Sequence, residues 1–214
     1  MSEQAEEFPT VCETCLGDDP YVRMARQRNG FPCQVCKRPA THFKWKAGKG
    51  RMKETVICQS CAKMKNVCQT CLLDMNTGLS IRVRDKFLAD EGEDQLAIPN
   101  SEIGRVYQAA NYNALVASRT IKPMNEVYSK LVDVPGVKKT IGSAPYYKRN
   151  ETKLCSYFMR GLCTRGEMCP FKHAKPPADI PSRSIEERYR GTAPLLPSEE
   201  KILKSLPPPK PRDP

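Results

Sequence analysis

The chain has no run of about 18 apolar residues, so no membrane-spanning helix is expected. Apolar material is scarce throughout. Only 39% of the 214 residues are hydrophobic, and 19 are proline. That composition excludes one large core and fits small units held by something other than buried area. No Gly-rich phosphate loop, no H-E-x-x-H and no spare cysteine beside a histidine occurs. The usual marks of nucleotide hydrolysis, zinc proteolysis and thiol catalysis are therefore missing. The opening residues, MSEQAEEFPTV, are acidic and hold no apolar stretch of signal-peptide kind. A secreted disulfide scaffold is not expected, and an intracellular, reducing compartment is.

Cysteine, by contrast, is plentiful, with 11 in the chain. Eight form four Cys-x-x-Cys pairs: Cys12/Cys15, Cys33/Cys36, Cys58/Cys61 and Cys68/Cys71. The rest join one histidine in a C-x7-C-x5-C-x3-H run of Cys155, Cys163, Cys169 and His173. An odd cysteine count that one histidine completes points to metal rather than cystine. A tetrahedral zinc site takes four sulfur or nitrogen ligands, so these residues supply three full sites and three Zn2+ ions are expected. Zinc-bound thiolates are inert ligands, and no catalytic residue is assigned.

The gaps between successive pairs are 17, 21 and 6 residues. Sharing zinc between pairs one and two, and between three and four, follows zinc-ribbon spacing. Sharing between pairs one and three, and between two and four, interleaves the segment into a cross-braced unit. The interleaved form is favoured, because a single unit buries more and leaves no tiny isolated loop.

The expected fold is a set of small zinc-stabilised modules, irregular, with short α and β elements. Residues 8–85 form a two-zinc Cys-x-x-Cys module, with a possible strand at 79–84 (LSIRVR), where apolar and polar residues alternate. Residues 86–144 form a spacer with a helix over about 101–119, capped by Ser101, whose Ile103, Val106, Tyr107, Ala110 and Ala114 recur at helical spacing. A shorter helix is expected over 125–132. Residues 145–180 hold the C-x7-C-x5-C-x3-H run and a basic-aromatic lead-in. Residues 181–214 form an extended Pro-rich tail with one helical turn at 184–190.

Formal net charge is +11, from 35 Lys+Arg against 24 Asp+Glu. A basic zinc protein with interspersed aromatics is a candidate nucleic-acid binder. Lys44 and Lys46 alternate with Phe43 and Trp45, which suits either phosphate contact with base stacking or a solvated face that docks acidic protein. His42 is read as a surface or packing residue.

The run from Cys155 to His173 resembles the CCCH zinc-finger family, which mostly binds single-stranded RNA. Nineteen residues cannot bury a core, so zinc replaces one. Tyr157, Phe158 and Phe171 are the candidate stacking platforms, with at least one expected to pack under the zinc. Arg160, Arg165 and Lys172 are candidate phosphate contacts. Tyr146, Tyr147, Lys148 and Arg149 either extend the RNA path or lie against a protein partner. RNA is expected over DNA, because the finger offers little helix to insert into a groove.

Four Cys-x-x-Cys pairs, a helical spacer, PYYKRN, a CCCH finger and then Arg188-Tyr-Arg-Gly191 follow one another in order. With the segments CQTCLLD (68–74) and IRVRD (81–85), this order resembles the spliceosomal splicing-factor family of Slt/Ecm type, over most of residues 8–191. The resemblance implies a nuclear, non-enzymatic pre-mRNA splicing factor of the catalytic spliceosome. It implies contact with U6 small nuclear RNA and intron RNA among large scaffold proteins, with neither a membrane nor a small-molecule substrate involved. The family usually continues into an RNA-recognition-motif domain, and no RNP-like aromatic strand is present in these 214 residues. The alternatives are a CCCH regulator of mRNA decay, a RING-like ubiquitin ligase and a pure protein adaptor. RING domains usually hold a histidine in the second or third pair, whereas His42 lies outside every pair.

Overall fold

Zinc knuckles and turns, rather than long periodic segments, set the length of the elements. The computed structural model describes residues 8–48, 52–90, 96–133, 135–138, 141, 144–150, 154–174 and 183–205. After a single turn, α1 (Glu13–Leu16), come three strands: β1 (Met24–Pro32), β2 (Pro39–Lys46) and β3 (Met52–Glu54). They form an antiparallel sheet in the order β1-β2-β3. The second cysteine pair is itself the β1–β2 hairpin turn. Pro32 pairs with Pro39 across it, Cys33 N donates to Arg38 O at 2.9 Å, and Lys37 takes the left-handed conformation (φ 60°) that reverses the chain.

The third pair opens α2 (Gln59–Lys65), with Cys58 as N-cap. This helix stops at Asn66, whose left-handed φ of 49° ends the hydrogen-bond ladder. Gln69, 2% exposed, binds the N-terminal strand of chain to this region. Its side chain accepts from Thr10 N at 2.7 Å and donates to Ile57 O at 2.9 Å.

Residues 79–84 are not a strand. Helix α3 spans Ile81–Asp90. Alternation over six residues also fits a helix once the window is extended, because Val83 and Phe87, and Ile81 and Leu88, recur at helical spacing and all four are buried. The helix also places Arg84 at 0% exposure. Its guanidinium meets Asp74 Oδ1 at 3.0 Å, Asp85 Oδ1 at 2.8 Å and the Lys65 carbonyl at 2.5 Å, and lies 3.6 Å from the centroid of the Tyr128 ring. Asp74 uses its other oxygen to accept from Asn76 N, Thr77 N and the Thr77 hydroxyl. A buried charge is tolerable only when it is saturated in this way.

Helix α4 (Glu102–Ala117) starts as expected, with Ser101 Oγ accepting from Gly104 N at 3.1 Å. Its buried face is Arg105, Ala109 and Tyr112, packed toward α2, while Ile103 and Tyr107 are exposed. The apolar spacing read from the sequence therefore lies on the outer side. Helix α5 (Met124–Ser129), the 3-10 turn at Lys130–Asp133 and α6 (Pro135–Lys138) follow, and Met124, Val127, Tyr128 and Val137 pack with Leu79, Val83, Phe87 and Leu88. Helix α7 (Ser156–Met159) opens the finger.

The tail is not extended over its described part. It holds α8 (Ile185–Arg190), closed at its start by a capping box of Ser184 and Glu187, and α9 (Pro197–Lys204). Tyr189 is fully buried in the same cluster as Cys33, Cys61 and Met64, and its hydroxyl donates to Cys61 O at 2.8 Å. The proline-rich stretch 206–214 lies outside the described residues. No helix among the described residues is long and apolar enough to cross a membrane.

Candidate metal centres and nucleic-acid surface

Twelve ligand residues gather into three groups. Cys12, Cys15, Cys68 and Cys71 form one, Cys33, Cys36, Cys58 and Cys61 a second, and Cys155, Cys163, Cys169 and His173 a third. Pair one shares a site with pair four, and pair two with pair three. The first two centres are nested, which corrects both the interleaved and the ribbon pairing. The sheet decides the matter: β1–β2–β3 folds the chain back so that the second knuckle lies beside the start of α2. Gln69 then carries the fourth knuckle back toward Thr10 and the first.

The donor set fits zinc. Every cysteine is a free thiol, and within each group the ligand atoms lie within 4.8 Å of one another. Sulfur–sulfur distances are 3.7 Å for Cys12–Cys71, 3.9 Å for Cys33–Cys61, 3.7 Å for Cys36–Cys58 and 3.8 Å for Cys163–Cys169. A tetrahedron with Zn–S bonds of about 2.3 Å has edges of about 3.8 Å, whereas a disulfide needs about 2.05 Å. In the finger, the His173 Nε2 is buried without a hydrogen-bond partner. A buried imidazole nitrogen left bare beside three thiols is what a metal ligand requires. The three clusters are thus suited to three zinc ions.

The thiols hold unequal shares of their protons. Contact with Cys33 keeps Cys36 far below the ordinary thiol range, and contact with the same residue pushes Cys61 far up. In the outer centre, contact with Cys12 likewise holds Cys68 down and Cys15 up. Zinc would take the place of every such proton. Backbone donors support the sulfurs: Cys58 N reaches Cys33 Sγ at 3.2 Å, and Phe158 N reaches Cys155 Sγ at 3.3 Å. The Arg38 guanidinium resists the cost of its burial, because Cys36 holds its pKa above the ordinary value.

Trp45 belongs to the outer centre. It is 1% exposed, packs with Cys15 and Cys68, and donates from Nε1 to Cys15 O at 2.9 Å. It is therefore unavailable for base stacking, and Phe43 is half-buried against the same cluster. His42 packs as expected, its ring 4.8 Å from that of Phe31.

The finger presents its side chains outward. Cys155 caps α7, Gly161 turns the chain with φ 72°, and Leu154 and Lys172 form a parallel bridge that closes the coil. Phe158 stacks on His173 at 4.3 Å and 10°, so one face of its ring lies against the centre, while the residue stays 42% exposed. Tyr157 and Phe171 remain open, at 59% and 49% exposure. Arg160 lies 5.1 Å from the centroid of the Tyr157 ring, and Arg165 and Lys172 are exposed. Leu162 and Met168 are also exposed, which sequence reasoning missed. In the lead-in, Tyr146, Lys148 and Arg149 are exposed and Tyr147 is half-buried. Asn150, also unforeseen, is buried and donates from Nδ2 to Thr14 O at 2.6 Å, which ties the lead-in to the first knuckle.

Comparison with known proteins gives two family matches: residues 9–116 to the family described as STL11, N-terminal, and residues 150–175 to the CCCH zinc finger of C-x8-C-x5-C-x3-H type and similar. The chain is 42% identical over 190 residues to zinc finger CCCH domain-containing protein 40 of Oryza sativa subsp. japonica, covering 88% of this chain and 39% of that protein. It is 40% identical over 190 residues to zinc finger CCCH domain-containing protein 4 of Arabidopsis thaliana, with the same two coverages of 88% and 39%. The chain thus spans about two-fifths of the length of these relatives.

Proposed function

We propose a function from one premise: the chain belongs to the STL11 N-terminal family and carries a CCCH finger. It is a non-catalytic RNA-binding scaffold of nuclear pre-mRNA splicing. It contacts U6 small nuclear RNA and intron RNA and is held among spliceosomal scaffold proteins. The observation that carries the reading is the finger's surface: Tyr157 and Phe171 are open for stacking, with Arg160, Arg165 and Lys172 exposed around them. Unpaired bases stack on such rings, and the cations meet the phosphates between them. Ligand count supports the non-catalytic part of this reading. A catalytic zinc keeps an open position, and each cluster here offers four ligand atoms.

Ultraviolet crosslinking in living cells tests the proposal. Crosslinks from the finger to U6 and to introns are expected. Crosslinks confined to messenger 3′ regions would replace splicing with mRNA decay, and no RNA crosslink at all would remove the RNA reading.

A further inference from the structure

Three arginines, one from the lead-in and two from the tail, converge where these segments meet the fourth knuckle. Arg149, Arg183 and Arg188 line one cavity of about 320 Å³, together with Gly78, Ser80 and Ser198. Glu199 is the one acidic residue on its wall, and Arg183 engages it at 2.9 Å. Glu199 also accepts from Leu196 N at 2.8 Å, so both of its oxygens already hold hydrogen bonds within the protein. Arg188 donates to the Cys71 carbonyl and, among the described residues, pairs with no carboxylate. The Arg149 guanidinium has no hydrogen-bond or ion-pair partner among them. A guanidinium offers five N–H donors, so this cavity holds a surplus of donors over acceptors.

One further fact points the same way. Ser80 Oγ, on the cavity wall, is buried without a hydrogen-bond partner.

We propose that this cavity binds a backbone phosphate of RNA, so that the RNA path runs from the finger over the lead-in and onto the two-zinc unit. This rests on the RNA-binding reading above. RNA is favoured because a second cavity, of about 490 Å³, adjoins the first and shares Leu73, Gly78, Leu79, Arg149 and Ile202 with it. Tyr146 lines that second cavity and is 60% exposed. A phosphate held by the arginines and a base against Tyr146 are the two halves of one nucleotide.

The test is single-stranded RNA binding by the full zinc-loaded chain across a salt series. Two variants shift the cavity's charge in opposite senses. Arg188→Gln keeps a donor for the Cys71 carbonyl and removes a cation. Glu199→Gln keeps an acceptor for Leu196 N and removes the anion. Zinc content and the fluorescence of Trp45 check that each is folded. Arg188→Gln is expected to weaken binding about tenfold and to lower the slope of log K against log salt by about 0.7 per lost phosphate contact, while Glu199→Gln tightens binding. If Phe171→Ala weakens binding and neither cavity variant does, the cavity is no phosphate site and the finger's role stands. Weakening by both cavity variants indicates distortion and overturns the proposal. So does a cavity that responds only to a phosphoserine peptide. A wild-type chain that binds no RNA removes the functional reading along with it.

Discussion

Replacing Arg84 with methionine is the sharpest probe of how this chain folds without a large core. The substitution keeps a long apolar stem and removes the guanidinium. Asp74, with a fully buried side chain, then loses its charged partner at 3.0 Å, and the Lys65 carbonyl loses its donor. Asp85 keeps Lys65 at 3.3 Å, and Asp74 keeps its turn contacts with Asn76 and Thr77. Breaking one partner of a buried ion pair costs about 3–5 kcal/mol. The stack on Tyr128 is lost as well, but its contribution is not additive with the ion pair. Chemical denaturation at fixed excess zinc, followed by the single Trp45, measures the change. Adding Asp74→Asn removes the stranded charge and keeps an oxygen for the turn, so the double variant is expected to recover about 2 kcal/mol. A loss below about 1 kcal/mol for Arg84→Met, or no recovery in the double variant, would refute the claim that the Arg84–Asp74 pair is fully desolvated.

Other expectations follow from the same geometry. Cys163→Ser is expected to lower bound zinc from three to two, read by native mass spectrometry, with Trp45 emission unchanged because that residue lies at the outer centre. Phe171→Ala keeps three zincs and weakens single-stranded RNA binding by about 1–3 kcal/mol, measured by fluorescence anisotropy. Tyr189→Phe leaves the Cys61 carbonyl without its donor and is expected to cost about 1–2 kcal/mol in the denaturation assay, although the tail lies 128 residues away in sequence. Chelation of all zinc is expected to shift Trp45 emission to the red, since metal binding and folding are one equilibrium here.

The ligands were legible because their chemistry is counted in the sequence: four to a site, with none left over. So was the finger, whose spacing leaves little choice of path, and the Ser101 cap of α4. The pairing of the four knuckles was not, because spacing alone says nothing of a sheet that folds between pairs one and three. Residues 79–84 misled because six alternating residues suit both periods, and the buried Arg84 reads as polar in either. Flanking lysines left Trp45 open to two readings, a nucleotide platform or part of a solvated face that docks acidic protein, and both placed it outward. In a strand, neighbours point to opposite faces, so Lys44 and Lys46 are exposed while Trp45 goes inward. The tail's Tyr189 sits in a segment whose neighbours are mostly charged or proline, and only the partner surface shows that it is core.

Nesting gives the two N-terminal metals a rank. Cys36 and Cys58 of the inner loop are 22 residues apart, while Cys12 and Cys71 of the outer loop are 59 apart. Binding the inner ion ties Cys33 to Cys61, 28 residues apart, and so roughly halves the free chain that the outer ion must close. Each halving of a loop is worth about 0.6 kcal/mol, or about threefold in affinity. The protein is built like a clasp within a clasp: the inner one fastens on its own, the outer one fastens more readily over it, and when metal runs short the outer one is the first to open.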